Sequence, residues 1–158
     1  MILATTLLPA LLWGVSGTTA ESDMVTRIND IRRNSGLQPV VRALPLDEAA
    51  GWFAADLALR GGQLDHVDSQ GRRVRHRIYE FGYRAIRKAS ENLAMGTTDA
   101  KSTVDAWMNS PGHRRNLLDA DIEHVGVGIR TDEQGRNYWV LELAQRFKGA
   151  PPVPRSGT

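Results

Sequence analysis

Three short segments carry side chains able to hold a cation or exchange a proton near neutral pH: Leu64-Asp65-His66, Ser90-Glu91-Asn92, and Trp107-Met108-Asn109-Ser110-Pro111-Gly112-His113. Two imidazoles and a carboxylate make up the ligand set of many catalytic zinc centres. Here they lie far apart in sequence, so spacing alone does not bring them together. Taken singly, each reads as a capping or hydrogen-bonded loop residue. The chain has no HExxH or GxSxG motif and no cysteine to serve as a nucleophile.

His113 is the best placed of the three. Ser110 reads as an N-cap whose side chain accepts a backbone N–H, and Pro111 as the first helical residue, where a missing donor costs nothing. The electropositive start of a short helix then disfavours the protonated imidazole and keeps His113 neutral. Of the remaining histidines, His76 reads as solvated on a basic helix face and His124 as a strand-start residue.

The elements that must position these groups follow from periodicity. Met24, Ile28 and Ile31 predict an amphipathic helix over 23–34, with Arg32 on its polar face and Gly36 as its stop. Residues 37–46, with Pro39 and Pro45, read as a connector. A second helix over 46–60 is rich in alanine, which predicts a close neighbour, and it ends at Gly61-Gly62. Val74, Ile78 and Phe81 predict a third helix between Gly71 and Gly82, whose arginines read as a solvated face. Glu91 and Asn92 precede a short apolar run. Thr98 or Asp99 caps a helix that continues to Ser110, and the chain closes with a hairpin of Val125–Ile129 and Tyr138–Phe147 around Asp132–Gly135. Helices first and a hairpin last give an α+β class.

At 158 residues the chain is long enough for one domain with its own core, and it has no cysteines to staple it. Met1–Ala20 carries no charged side chain, holds the apolar run Leu7–Val15 and ends in small residues before Glu21. It reads as a signal peptide on an exported bacterial protein, followed by a domain over 21–148 and a disordered proline-rich tail over 149–158. Net charge is only +2, and the basic residues lack interleaved aromatics, which argues against a nucleic-acid partner.

Four blocks in one order resemble the CAP superfamily (cysteine-rich secretory proteins, antigen 5, pathogenesis-related 1), in its cysteine-free bacterial branch, also called the SCP domain. They are Asn29 and Arg32 with Gly36-Leu37; Leu64-Asp65-His66; Ser90-Glu91-Asn92-Leu93-Ala94; and Trp107 through Leu118. Val125–Gly128 and the stretch from Tyr138 to Phe147 also fit. The resemblance implies an α-β-α sandwich, with a central antiparallel sheet between helical layers and a cleft lined by histidines and acidic residues. His66, Glu91 and His113 match three of its four cleft positions, and Ser110 stands where many eukaryotic relatives have a glutamate.

By the same resemblance, His66 and His113 would hold zinc or another divalent cation. Glu91 would then bind the metal, orient an imidazole, or take a proton from bound water. Asn92 reads as structural, and Arg114 and Arg115 as added affinity for anionic groups. The implied function is an exported binding module for a lipid, sterol, envelope component or protein. The alternative is a metal-assisted hydrolase or peptidase with Glu91 as base.

Overall fold

A computed structural model describes residues 19–156. The expected signal peptide lies outside the described residues except at its end. The first helix, α1, spans Thr19–Asn34 and buries Met24, Val25 and Ile28. It stops in a paired C-terminal bond pattern in which the Leu37 N–H donates to the Arg32 carbonyl (2.9 Å) and the Gly36 N–H to Arg33 (3.0 Å). That pattern needs a left-handed residue, and Gly36 supplies it at φ +74°. Arg32 does not face solvent. It is fully buried, donating to the carbonyls of Gln38, Leu117, Asp119 and Ile122, because the chain on both sides of it leaves orphan carbonyls there.

The connector contains a two-residue strand, β1 (Val41–Arg42), and leads into α2 (Leu44–Arg60), which starts at Pro45 in its first turn. The third helix, α3, is Val74–Glu80. The Glu91 segment is a strand, β2 (Ile86–Met95), rather than a loop before an apolar run. Asp99 caps α4 (Ala100–Asn109) in a reciprocal arrangement with Ser102, and α5 is Pro111–Leu117. The hairpin forms as expected, from β3 (His124–Thr131) and β4 (Asn137–Arg146).

The sheet order is β1-β3-β4-β2, with every pairing antiparallel except β1 with β3, so the sheet is mixed. Trp139, Leu141 and Leu143 of β4 pack against α1, α4 and α5, while Tyr138, Val140 and Ala144 pack with residues of α2 and α3. This alternation makes the sheet the middle layer of an α-β-α sandwich.

The alanine-rich helix has the close neighbour it calls for. A Cβ on Gly126 would lie 2.1 Å from the Leu46 carbonyl carbon, and one on Gly128 would lie 2.2 Å from the Ala50 oxygen. The α2 backbone therefore rests on the bare backbone of β3. The tail also differs from expectation. Through Ser156 it lies against the start of α2, where the Leu44 N–H donates to Pro154 (2.9 Å), Arg155 bridges to Ala43 and Val153 packs on the core. Gly128→Ala is expected to lower unfolding free energy by about 1–3 kcal/mol through overpacking, measured by urea denaturation.

Candidate functional site

Strand β2 is the edge of the sheet beyond β4, and its alternation builds the site. Glu91 faces the α2–α3 layer and Asn92 the α5 layer. On the first face, Glu91 is 6% exposed and accepts from two directions. His66, on the loop after α2, places Nδ1 2.6 Å from its Oε1, and the Arg77 guanidinium donates to its Oε2. With Arg77 donating to one Glu91 oxygen, the other accepts from His66, so Nδ1 of His66 carries the hydrogen. The Nε2 atom of the half-exposed His66 ring is then the free acceptor of the neutral imidazole.

Arg77 is the residue that the basic-face expectation misplaced. It is fully buried, with its guanidinium carbon 3.6 Å from the centroid of the Phe53 ring of α2. It also donates to Glu142 Oε1 (3.0 Å) and Asp68 Oδ2 (3.3 Å). Arg72 is buried beside it, paired with Asp68 at 2.9 Å and stacked over Trp52. Arg73, Arg75, Arg84 and Arg87 lie at least partly in solvent, so the solvated face is real but excludes the two arginines that matter to the site.

On the opposite face, Asn92 is fully buried and bonded on both sides of its amide. Its Nδ2 donates to the His113 carbonyl (3.2 Å), and its Oδ1 accepts from Asn116 (2.9 Å). Asn116 also donates to the Glu91 carbonyl (3.3 Å), and Trp107 Nε1 to the Leu93 carbonyl (3.0 Å). These side chains occupy carbonyls of the edge strand and tie α4 and α5 to it. Ser110 holds the N-cap position with an extended backbone, but its side chain makes no capping bond. Pro111 follows α4 so closely that Ser110 serves both helices through its backbone: its N–H donates to Trp107 (3.1 Å) and its carbonyl accepts from Arg114 (2.8 Å).

The two histidines titrate in opposite directions. Hydrogen bonding to Glu91 raises His66 above the ordinary histidine value, against the pull of partial burial. Burial lowers His113, and the charge of His66 lowers it further, so the two rings share one electrostatic neighbourhood. The shift of His113 is towards the neutral ring, chiefly because of desolvation rather than the helix start. His124, at the start of β3, lies outside this site; its Nδ1 is 3.0 Å from the Tyr83 hydroxyl, and burial lowers its pKa. His76 is exposed beside Glu80. Arg114 and Arg115 are exposed on α5, around a groove shared with Met108 and Leu118.

The sequence profile of the cysteine-rich secretory protein family (CAP) matches residues 25–143. The chain belongs to this family. Two Bacillus subtilis (strain 168) relatives of this CAP domain are the uncharacterized membrane protein YlbC and the uncharacterized protein YkwD. YlbC is 30% identical over 135 residues, which are 85% of this chain and 37% of the relative. YkwD is 32% identical over 108 residues, 68% of this chain and 41% of the relative. The chain therefore spans about two fifths of the curated relatives it matches.

Among solved structures, an outer surface protein from Borrelia burgdorferi aligns with TM-score 0.73 at 21% identity, covering 80% of this chain and 92% of that one. An extracellular SCP-domain protein from Bacillus anthracis aligns with TM-score 0.72 at 20% identity, covering 80% of this chain and 40% of its own. These superpositions establish the shared fold.

The donor set of the CAP domain is narrower than the three sequence positions imply. Among the described residues no group of three His, Cys, Asp or Glu side chains is arranged to hold a metal ion. Both Glu91 oxygens are engaged, by His66 and by Arg77, which favours orientation of the imidazole over the other two roles.

Sequence reading missed Arg77, Asp68 and Glu142, although a signal for Arg77 was present. Positions 74, 77, 78 and 81 follow the i, i+3, i+4, i+7 pattern of a buried stripe, with Arg77 in its centre.

The pKa directions fix signs for stability. His66 binds its proton more tightly in the fold, so its contribution is full below the ordinary value of about 6.5 and is lost as pH rises through the raised value. His113 and His124 behave oppositely: their contribution is full above that value and is lost as pH falls through the lowered ones. Glu91→Gln removes the charge partner, so NMR titration is expected to show the His66 pKa falling while His124, which has no contact with Glu91, is unchanged.

Proposed function

We propose that this CAP domain is an exported binding module whose ligand site is the cleft between His66 and His113 at the sheet edge. The observation that carries this reading is the His66–Glu91 contact at 2.6 Å, which turns Nε2 of one imidazole into a fixed acceptor beside a second, neutral-favouring one. Zinc or another divalent cation is the proposed cofactor, with His66 and His113 as its protein ligands. Bound there, it would supply a Lewis-acid contact for an oxygen atom of the ligand. A two-imidazole site is weak and open, which suits a ligand that completes it.

Export is supported by the descriptions of the structural neighbours as an outer surface protein and an extracellular protein, and by the uncharged, apolar run in 1–20. Among the described residues no helix is long and apolar enough to cross a membrane. A lipid, another envelope component or a protein is the proposed ligand class, with exposed Arg114 and Arg115 adding affinity for anionic groups. Hydrolysis with Glu91 as base is the weaker reading, since that carboxylate is already committed to His66 and Arg77.

Calorimetry with Zn²⁺ tests the cofactor. Wild type is expected to bind one ion, and His66→Ala and His113→Ala each to lose roughly tenfold or more in affinity. Equal affinity in all three proteins would remove the cation from the account. Sedimentation with liposomes of anionic and sterol-containing composition tests the lipid version, which fails if the protein stays in the supernatant with and without zinc.

A further inference from the structure

Glu142 lies at the centre of β4, directly across from Glu91 on β2 and from Gly126 on β3. Its side chain is fully buried, and among the described residues Oε2 has no hydrogen-bond partner. The groups facing it are few. Glu91 comes from β2 and Arg77 from α3; Asp68, with its partner Arg72, comes from the loop before α3; α2 contributes the apolar ring of Phe53 beneath Arg77. From β3 the facing residue is a glycine and brings no charge.

The charges balance only one way. Asp68 and Glu91 match Arg72 and Arg77 in the interior, two anions against two cations. Glu80, which also pairs with Arg72, is near half exposed and screened by solvent. A third ionised carboxylate would leave a net negative charge in a water-free site, with one oxygen unpaired and a like charge directly opposite on the neighbouring strand. Where two carboxylates share a site, one keeps its proton.

We propose that Glu142 is held as a neutral carboxylic acid, and that its proton is what leaves Arg77 committed to Glu91 and so keeps His66 in place. Glu142 does not touch either imidazole; it acts as a positioning residue through Arg77 and Glu91. Loss of its proton makes Glu142 a competitor for the same guanidinium and loosens the clamp on Glu91. The pKa direction agrees: burial, then the charge of Glu91, push Glu142 up to about 8 against the opposing pull of Arg77. This arrangement stands whether or not the cleft takes a cation.

The sign of the linked stability follows. Glu142 holds its proton more tightly folded than unfolded, so stability falls as pH rises from the ordinary carboxylate value towards about 8, and this contribution is flat beyond it. Glu142→Gln keeps the shape of the neutral acid and removes the titration. Between about pH 6.5 and pH 8 the wild-type Tm is expected to fall by roughly 5 °C more than that of Glu142→Gln. Titrating groups outside the Arg77 cluster contribute equally to both proteins, so the difference reports Glu142 together with the His66–Glu91 contact it supports.

Carbon-13 NMR of the glutamate carboxyls in the wild-type protein supplies a readout that needs no variant to fold, with Glu142→Gln used for assignment. The Glu142 resonance is expected at the position of a protonated acid at about pH 6.5 and to titrate near pH 8. Arg77 guanidinium protons are expected to lose exchange protection above that pH in wild type, and to retain more of it in Glu142→Gln at the same pH. An ionised Glu142 at about pH 6.5 overturns the proposal, as does an equal Tm slope in the two proteins. Equal Arg77 protection in both, with Glu142 neutral, overturns the clamp while leaving the buried acid.

Discussion

The site depends on one guanidinium removed from water. Arg77 is held between the Phe53 ring and the carboxyl groups of Asp68, Glu91 and Glu142, on four different segments of the chain. Taking a charge out of water costs several kcal/mol, recovered only when its donors are met and its charge is matched. Arg77 meets those conditions by drawing the loop after α2, the edge strand and the inner strand towards one point. The same convergence brings His66 to Glu91, so the fold's buried electrostatics and the placing of this imidazole share a cause.

Edge strand β2 gives the candidate site its form. Its alternation sends Glu91 to one face of the sheet and Asn92 to the other, and each holds a histidine-bearing segment, one through a carboxylate and the other through an amide. His66 and His113 thus approach the same edge from opposite layers of the sandwich. Trp107 and Asn116 occupy edge carbonyls that would otherwise invite another strand, so protecting the edge and anchoring the His113 helix are one set of bonds. Arg32 works similarly from α1, gripping the carbonyls that follow α5.

Much of this was legible in the sequence where a local rule operates. Pro111 marks a helix start, Asp99 a cap, and the Asp132–Gly135 turn a hairpin, because backbone geometry near each residue decides the outcome; Pro45, read as part of a connector, instead lies in the first turn of α2. The short strand β1 and the strand character of Glu91 were not legible, since pairing with distant β3 and β4 creates them. Ser110 shows the limit of a composition rule: its position is the N-cap, but two abutting helices engage its backbone rather than its hydroxyl. Arg77 and Glu142 were missed because ionisable residues ordinarily face water, and only partners distant in sequence, Asp68 and Glu91 among them, permit their burial. The ordered family blocks joined His66, Glu91 and His113, which spacing could not do.

The central claim is that the Glu91 carboxylate fixes the His66 ring with its Nδ1 hydrogen inward and Nε2 free. Long-range proton–nitrogen NMR correlation on ¹⁵N-histidine-labelled protein, above the His66 pKa and with Glu91 intact, reads the tautomer directly. The account predicts Nδ1 as the protonated nitrogen and Nε2 as the bare one. A neutral His66 carrying its hydrogen on Nε2 would contradict it.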